Sequence, residues 1–168
     1  MAIVASARAG LRVAERATIV QLRAPDMTAR ELESEVTALV TASPVPVVIS
    51  SRCDIALAAG AAGVNLPERD IAVGEARALV GQRLIGRSVH SLPAALQAER
   101  DGADFVIFGP VWPSRSHAGS IPTGLEVLAE VARAVRIPVL AIGGITDARI
   151  AECHAAGAAG YAAIGLFE

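Results

Sequence analysis

The sequence predicts an α/β protein, a TIM-type (β/α)8 barrel, from three observations. Short apolar segments alternate with segments whose apolar residues recur at helical spacing, such as residues 28–42 and 92–102. Most of the apolar segments are continuous and rich in Val and Ile, which is typical of parallel strands covered on both faces. Eight such strands close a barrel, and the alternative is an open, doubly wound sheet. The eight segments are residues 2–5, 18–22, 45–50, 63–66, 83–89, 104–109, 137–144 and 160–165.

Three of the predicted helices end in the same way. In ALAAGAAGVNL, QAERDGADFVIF and HAAGAAGYAAI, a glycine stands a few residues before the next strand (Gly60, Gly102 and Gly157). Glycine suits the left-handed residue that terminates a helix. We therefore expect one short turn to recur along the chain, as in a protein built from repeated βα units.

The barrel is predicted to be trimmed at its last unit. The chain has 168 residues, fewer than the ~250 typical of this fold, and only residues 166–168 follow the last strand. The eighth helix is therefore expected to be largely missing. We expect residues 1–168 to form a single domain with an apolar seam at that place, which a second copy of the chain would cover in a homo-oligomer.

Composition argues against several classes of protein. The formal net charge is −2 with both signs interleaved, and aromatic residues make up 3%, so no nucleic-acid partner is expected. No apolar run approaches the ~20 residues of a membrane span, and no basic leader precedes the first apolar residues, so a cytoplasmic protein without a membrane partner is expected. All fifteen basic residues are arginine, which excludes a Schiff-base lysine and the lysine of a P-loop. Cys53 and Cys153 lack metal-ligand spacing and are expected to be reduced thiols.

Function in a parallel barrel is expected at the carboxyl ends of the strands. The clearest candidate is AIGGITD, where Gly143 and Gly144 lead into a helix and their N–H groups would approach an anion closely. The loops after strands 7 and 8 often hold a phosphate in barrels, and Gly165 follows strand 8. The alternative is a tight turn with Asp147 as the N-cap of the helix.

A second candidate is the loop GPVWPSRSHAG at residues 109–119, which follows the sixth predicted strand. Its two prolines, two glycines and polar residues suit the rim of a site, but they also suit a connection that needs turn residues. Trp112 would either line a pocket or pack the loop. His117 would act as a cation, acid or base, or else be a solvated loop residue.

Several segments together resemble the thiamine phosphate synthase/TenI superfamily, in the family's order over nearly the whole chain. They are VQLR (20–23), DIALAAGAAGVNL (54–66), IGRSVHS (85–91), AERDGADFVIFGPVWPS (98–114), AIGGI (141–145) and AGAAGYAAI (156–164). The resemblance implies a phosphate-binding barrel. Synthases of this family join a pyrimidine diphosphate to a thiazole phosphate and release pyrophosphate, with Mg²⁺ and cationic side chains stabilising the leaving group. TenI-type members bind thiazole phosphates, and some shift a proton in the thiazole with a histidine.

The resemblance assigns roles after strands 2 and 5. Gln21 and Arg23 match the family pattern Gln-Leu-Arg-Glu-Lys, but Pro25 stands where the family has a diphosphate-binding lysine. Ser88 matches a serine near the pyrophosphate. Arg23 and Ser88 are therefore expected to be catalytic and Gln21 to bind substrate.

The resemblance also implies a metal site after strands 3 and 4. Arg52 matches the last residue of the family's Asn-Asp-Arg and is expected to bind substrate phosphate, but Ser51 replaces the Asp that helps to hold Mg²⁺. Asp70 matches the second metal Asp. A single carboxylate makes a weak Mg²⁺ site, so the cofactor is doubtful.

In the loop after strand 6, the family pattern is roughly Gly-Pro-x-aromatic-Pro-Thr-x-Thr-Lys. Ser114 and Ser116 keep hydroxyls in place of the threonines and are expected to bind phosphate, whereas His117 replaces the lysine and is expected to be catalytic. Pro110 stands where TenI-type members have the tautomerase histidine. Gly165 stands where many members have a serine.

Three functional hypotheses follow. The first is a thiamine phosphate synthase or TenI-like enzyme that acts on thiazole phosphate and, for coupling, on the pyrimidine diphosphate. The second is a catalytically degenerate relative that binds a phosphorylated ligand as a regulator or carrier. The third is a different isomerase or lyase acting on a phosphorylated substrate on the same barrel. In all three the partner is a small phosphorylated molecule.

Overall fold

A computed structural model of the protein describes residues 1–114, 119 and 121–167. Within these ranges the chain forms eight strands and seven α-helices, with a 3-10 turn at Ala14–Arg16. The strands are β1 (Ala2–Val4), β2 (Val20–Leu22), β3 (Val47–Ser50), β4 (Gly63–Leu66), β5 (Leu84–Val89), β6 (Phe105–Phe108), β7 (Val139–Ile142) and β8 (Gly160–Ala162). The helices are α1 (Ala7–Val13), α2 (Ala29–Ala42), α3 (Cys53–Ala58), α4 (Val73–Val80), α5 (Leu92–Arg100), α6 (Gly124–Ala134) and α7 (Asp147–Ala155).

The strands form one parallel sheet that closes on itself. Each strand pairs with the next in chain order from β1 to β8. A parallel bridge between Ala2 and Ala163 joins the two edges, and the Ile3 N–H donates to the Ala163 carbonyl at 2.9 Å. This order confirms the predicted TIM barrel and rules out the open, doubly wound sheet, and each predicted apolar segment contains one observed strand.

Apolar residues are buried in two layers. The larger cluster lies between the strands and the surrounding helices. The smaller one includes Ile3 of β1, Val48 of β3 and Ile107 of β6, residues that face the barrel interior. Because Gln21 is in register with Ile3 on one side and Val48 on the other, its amide also faces the interior, where it is 2% exposed.

The repeated turn predicted at three helix ends is confirmed. Gly60, Gly102 and Gly157 have φ of +69°, +90° and +91°, the left-handed region in which glycine carries no steric penalty. After each glycine, the next N–H reaches back to a helix carbonyl, as in the bond from Ala103 to Ala98 at 2.9 Å. The turn supplies hydrogen-bond donors to carbonyl groups at the end of the helix and leads directly into the next strand.

Helix α2 shows how the sequence starts a helix. The Thr28 hydroxyl accepts from the Glu31 N–H, and the Glu31 carboxylate accepts from the Thr28 N–H, which makes a capping box. Leu32, Val36 and Leu39 then recur on one buried face. The boundary lies one residue inside the predicted segment because Thr28 caps the helix rather than joining it.

In the described part of the chain, no helix follows β8, as the sequence predicted. Instead, Phe167 stacks on Tyr161 with 5.9 Å between ring centroids, and its carbonyl accepts from Arg16 Nη1 at 2.9 Å. These contacts cover part of the predicted seam, and its covering by a second copy of the chain stays a prediction. None of the described helices combines the length and the apolar character that crossing a bilayer requires.

Candidate functional site

Two adjoining cavities open at the carboxyl ends of the strands. The loop cavity, of about 540 Å³, lies among the segments that follow β6, β7 and β8. The central cavity, of about 170 Å³, lies over the barrel axis, and its polar lining comes from β2 to β5 and their loops. Ile142 and Ile164 line both cavities, so a ligand of two parts would span them.

The loop cavity depends on two glycines after β7. Gly143 has φ +94° and Gly144 has φ +66°. A Cβ at Gly143 would lie 2.5 Å from Pro110 Cβ, and one at Gly144 would lie 2.7 Å from Trp112 Cβ. The loop after β6 therefore packs directly against the backbone after β7, which only glycine allows.

The start of the GPVWPSRSHAG loop is held to β7 by backbone hydrogen bonds. Val111 N–H donates to the Ile142 carbonyl at 2.8 Å, and Trp112 N–H donates to the Gly143 carbonyl at 3.1 Å. Pro113 and Ser114 then line the loop cavity, and the Ser114 hydroxyl is buried without a hydrogen-bond partner among the described residues. This part of the loop forms a wall of the cavity, which favours the interpretation of the loop as a site rim.

Helix α7 begins at the same cavity. Its N-cap is Thr146 rather than Asp147, and the Thr146 side chain makes no cap hydrogen bond. Thr146 lines the cavity together with the two glycines. N–H groups at the start of a helix attract anions, so the backbone here supplies donors for one.

The loop cavity has one charged residue in the lining that the structure describes. Arg149, in the first turn of α7, donates from Nη1 to the Gly144 carbonyl at 2.7 Å. Its guanidinium carbon lies 4.9 Å from the ring centroid of Trp112. The sequence reasoning missed Arg149, although its position one turn into a helix that follows a Gly-Gly pair could have indicated it.

The central cavity is lined by paired amides and hydroxyls. Gln21 Nε2 donates to Ser50 Oγ at 2.8 Å, and Asn65 Nδ2 donates to Ser88 Oγ at 3.1 Å. Arg23 lines the same cavity and has no side-chain hydrogen bond or ion pair among the described residues. The structure thus brings together the predicted Gln21, Arg23 and Ser88, and adds Asn65 to them.

Both amides leave an acceptor unused. Gln21 Oε1 and Asn65 Oδ1 are buried and have no hydrogen-bond partner in the described part of the chain, and the two residues are 2% and 3% exposed. A buried acceptor without a partner costs about 1–3 kcal/mol, so native proteins rarely leave two of them together. A ligand with N–H donors would satisfy both.

A histidine and a glutamate contact each other at the rim of the central cavity. His90 Nδ1 contacts Glu68 Oε2, and both residues line the cavity. Neither His90 nor Glu68 is among the site residues predicted from the sequence. The Glu68 carboxylate and Arg23 therefore line the same cavity.

The residues at the implied metal position bind each other. Ser51 Oγ donates to Asp70 Oδ2, and the Ile71 N–H donates to Asp70 Oδ1 at 2.8 Å, so both carboxylate oxygens are engaged. Among the described residues, no three His, Cys, Asp or Glu side chains are grouped to hold a metal ion. The one carboxylate at this position already accepts two hydrogen bonds from the protein, so the residues present offer Mg²⁺ a poorer set of oxygen ligands than two free carboxylates would.

Arg52 lies apart from both cavities. It pairs with Asp54 at 2.6 Å, and that hydrogen bond lowers the pKa of Asp54. Ser51 and Arg52 have φ of +58° and +42°, so this turn is left-handed at two successive residues other than glycine. A role for Arg52 in binding phosphate stays a prediction.

The remaining predicted residues are placed as follows. Gly165 has φ +83° and follows Ile164, but it does not line the loop cavity. Ser116 and His117 lie outside the described residues, so their assigned roles stay predictions.

The fold and the two cavities define a class of protein: a (β/α)8 barrel whose polar residues gather at the carboxyl ends of the strands. The sequence matches the model of the thiamine monophosphate synthase family over residues 3–167. The chain belongs to that family, and so to the proteins of thiamine biosynthesis, as the sequence motifs predicted.

Individual relatives agree with this assignment. A putative thiamine-phosphate synthase of Geobacter sulfurreducens is 46% identical over 150 residues, which cover 86% of this chain and 70% of that protein. A thiamine-phosphate synthase of Anaeromyxobacter dehalogenans is 44% identical over 164 residues, covering 96% and 73%. The solved structure of thiamine phosphate pyrophosphorylase from Pyrococcus furiosus has a TM-score of 0.87 and 32% identity, and the match covers 97% of this chain and 84% of that one.

Proposed function

We propose that this protein binds the phosphorylated thiazole of thiamine biosynthesis, with the phosphate in the loop cavity and the ring directed toward the central cavity. The observation that carries the proposal is the pair of adjoining cavities. One is walled by Gly143, Gly144 and the start of α7, which suit a phosphate, and the other holds buried amides that suit a nitrogen heterocycle. With such a ligand, the protein would be a cytoplasmic enzyme that acts on a small phosphorylated molecule.

In the central cavity we propose the second substrate, the pyrimidine diphosphate. Gln21 Oε1 and Asn65 Oδ1 would accept hydrogen bonds from its N–H groups, which would end their lack of partners. Arg23 would lie against the diphosphate as the cation of this cavity. The coupling breaks the bond between the pyrimidine methylene carbon and the diphosphate oxygen, forms a bond from that carbon to the thiazole nitrogen, and releases pyrophosphate.

The chain's own residues supply orientation and charge in this scheme. Ser88 already accepts from Asn65, so its hydroxyl proton remains to donate to an oxygen of the leaving group. Arg23 would stabilise the negative charge that develops as the diphosphate leaves. Ser51 and Asp70 fit Mg²⁺ poorly, so this scheme relies on Arg23 and Ser88 for stabilisation of the leaving group.

A second candidate function is binding without coupling, and one contact favours it. The hydrogen bond from Ser51 to Asp70 occupies the carboxylate that family resemblance assigns to Mg²⁺, and Pro25 replaces the family's diphosphate lysine. A protein with these two changes would still bind the thiazole phosphate, but it would lack most of the charges that stabilise pyrophosphate as it leaves.

The test compares four forms: the parent, Ser51→Asp, Ser51→Asp with Pro25→Lys, and the control Ser51→Ala, which breaks the Asp70 hydrogen bond without adding a carboxylate. Asp tolerates the left-handed conformation of residue 51 better than most residues. We expect slow formation of thiamine phosphate by the parent and Mg²⁺-dependent acceleration in the two Asp forms only. Saturable binding of thiazole phosphate without any product would support the second function. Lack of saturable binding by the folded parent would refute both.

A further inference from the structure

The loop cavity holds an arginine that nothing in the sequence motifs assigns. Arg149 is the one charged residue in its described lining, and the rest of that lining is apolar, small or hydroxyl-bearing. No carboxylate lies within ion-pair distance of Arg149 among the described residues. Among the described residues, Arg149 therefore faces the cavity without a negative partner.

The geometry of the guanidinium leaves most of its donors available. One N–H group is used by the Gly144 carbonyl at 2.7 Å, and a guanidinium carries five. Its central carbon lies over the Trp112 ring, 4.9 Å from the ring centroid. This contact is made with the electron-rich face of the indole and takes up none of the N–H groups as hydrogen-bond donors to oxygen, which are the groups that bind phosphate.

The two contacts also restrict where the guanidinium can move. Gly144 belongs to the turn after β7 and Trp112 to the loop after β6, so Arg149 is held between two different segments of the chain. A long side chain held in this way loses less conformational freedom when a ligand arrives. The arginine is thus prepared for an anion before one binds.

We propose that Arg149 is a specificity-determining residue of the loop cavity, which selects a phosphorylated ligand over its uncharged counterpart, and that Trp112 positions it. The proposal rests on the proposed function, since it assumes that the phosphate occupies this cavity. It adds to that function the residue that supplies the charge.

The first experiment measures the affinity for inorganic phosphate in the parent, Arg149→Gln, Arg149→Lys and the control Arg133→Gln, which removes the same charge from an exposed position on α6. A charge-assisted hydrogen bond to a charged group is worth enough that its loss weakens binding about ten- to a hundredfold. We expect that loss for Arg149→Gln and no loss for Arg133→Gln. Arg149→Lys should lose less affinity than Arg149→Gln, because lysine keeps the charge but lacks the paired N–H groups of the guanidinium.

The second readout is the salt dependence, which a purely structural role would not change. Screening by salt weakens an ion pair more than it weakens hydrogen bonds from backbone N–H groups to the same anion. Phosphate affinity of the parent should fall more steeply with ionic strength than that of Arg149→Gln. Equal slopes would contradict a charge contact by Arg149.

The third readout uses Trp112, the only tryptophan of the chain. Because its ring stacks on Arg149, phosphate binding should change its fluorescence in the parent and much less in Arg149→Gln. In calorimetric titrations, Trp112→Leu should weaken phosphate binding severalfold in the parent but have little effect in the Arg149→Gln background, since neighbours that act together are not additive. Equal effects in both backgrounds would show that Trp112 does not act through Arg149.

These outcomes separate the two proposals. If the folded parent does not bind phosphate, the proposed function fails and this inference fails with it. If the parent binds phosphate and Arg149→Gln binds it equally well, the cavity is an anion site and only the role of Arg149 is refuted.

Discussion

Replacement of Gly144 by alanine should cost both stability and phosphate affinity, and Gly102 provides a matched control. Both glycines have positive φ, +66° at Gly144 and +90° at Gly102. Around Gly102, nothing lies within 4 Å of an added Cβ, whereas at Gly144 the Cβ would lie 2.7 Å from both Pro113 O and Trp112 Cβ. The two substitutions therefore share the backbone penalty and differ in the clash.

The expected magnitudes follow from these two terms. Forcing alanine into the left-handed region costs roughly 1–2 kcal/mol, which should be the whole effect of Gly102→Ala on the free energy of unfolding. Overpacking adds about 1–3 kcal/mol, so Gly144→Ala should lose roughly 2–5 kcal/mol. Because the clash is with backbone and with a Cβ rather than with a flexible side-chain end, it is relieved only if the loop after β6 moves.

Movement of that loop should reduce phosphate binding. The backbone bond from Trp112 to Gly143 and the contact between Arg149 and Trp112 both lie where the loops would separate. We expect at least about a tenfold loss of phosphate affinity for Gly144→Ala, corresponding to about 1.4 kcal/mol, and none for Gly102→Ala. Urea unfolding followed by circular dichroism gives the stabilities, and calorimetric titration with inorganic phosphate gives the affinities. The reasoning is refuted if folded Gly144→Ala binds phosphate like the parent, or if the two variants unfold at the same urea concentration.

Two further predictions concern stability. Thr28→Ala removes the hydroxyl of the α2 capping box and should lower the free energy of unfolding by about 1 kcal/mol, measured by urea unfolding; an unchanged midpoint would show that the cap contributes nothing. Burial is the main cause that raises the pKa of Cys53 and of Cys153, so the folded protein holds thiol protons that the unfolded chain loses above its ordinary thiol pKa of about 8.5. Stability should therefore fall as the pH rises above about 8.5, and thermal unfolding of Cys153→Ala should show a weaker decline than the parent. An identical pH dependence in both forms would contradict this.

Much of the fold could be predicted because its signals are local. The Val- and Ile-rich segments, the glycines that end helices and the Thr28 cap act within a few residues of their own position. The apolar segments recur eight times along the chain, and this number of strands favoured the barrel. The motifs from VQLR to AIGGI were likewise sufficient for the family, since they occur in one order along the chain.

The site could be predicted only in part. Gln21, Arg23 and Ser88 were expected at the carboxyl ends of the strands and line one cavity there, because each lies within or just after the last two residues of its strand. Arg149 was missed because its importance depends on Trp112, which is 37 residues away in the chain and belongs to a different loop. Ser51 was noted as the loss of a carboxylate, but its hydrogen bond to Asp70 depends on the packing of two loops.

The amino-acid sequence by itself determined the order of strands and helices, the turns between them and the family, because these depend on local propensity and on residue patterns along the chain. Tertiary structure alone decided which side chains share a cavity. It left Gln21 and Asn65 with unused acceptors, paired Arg52 with Asp54, and directed Arg149 into the loop cavity. The physical reason is that a charge or a polar atom has a partner only if a suitable group lies near it in space. Closing the barrel brings the ends of all eight strands together, and with them residues that are far apart in the chain.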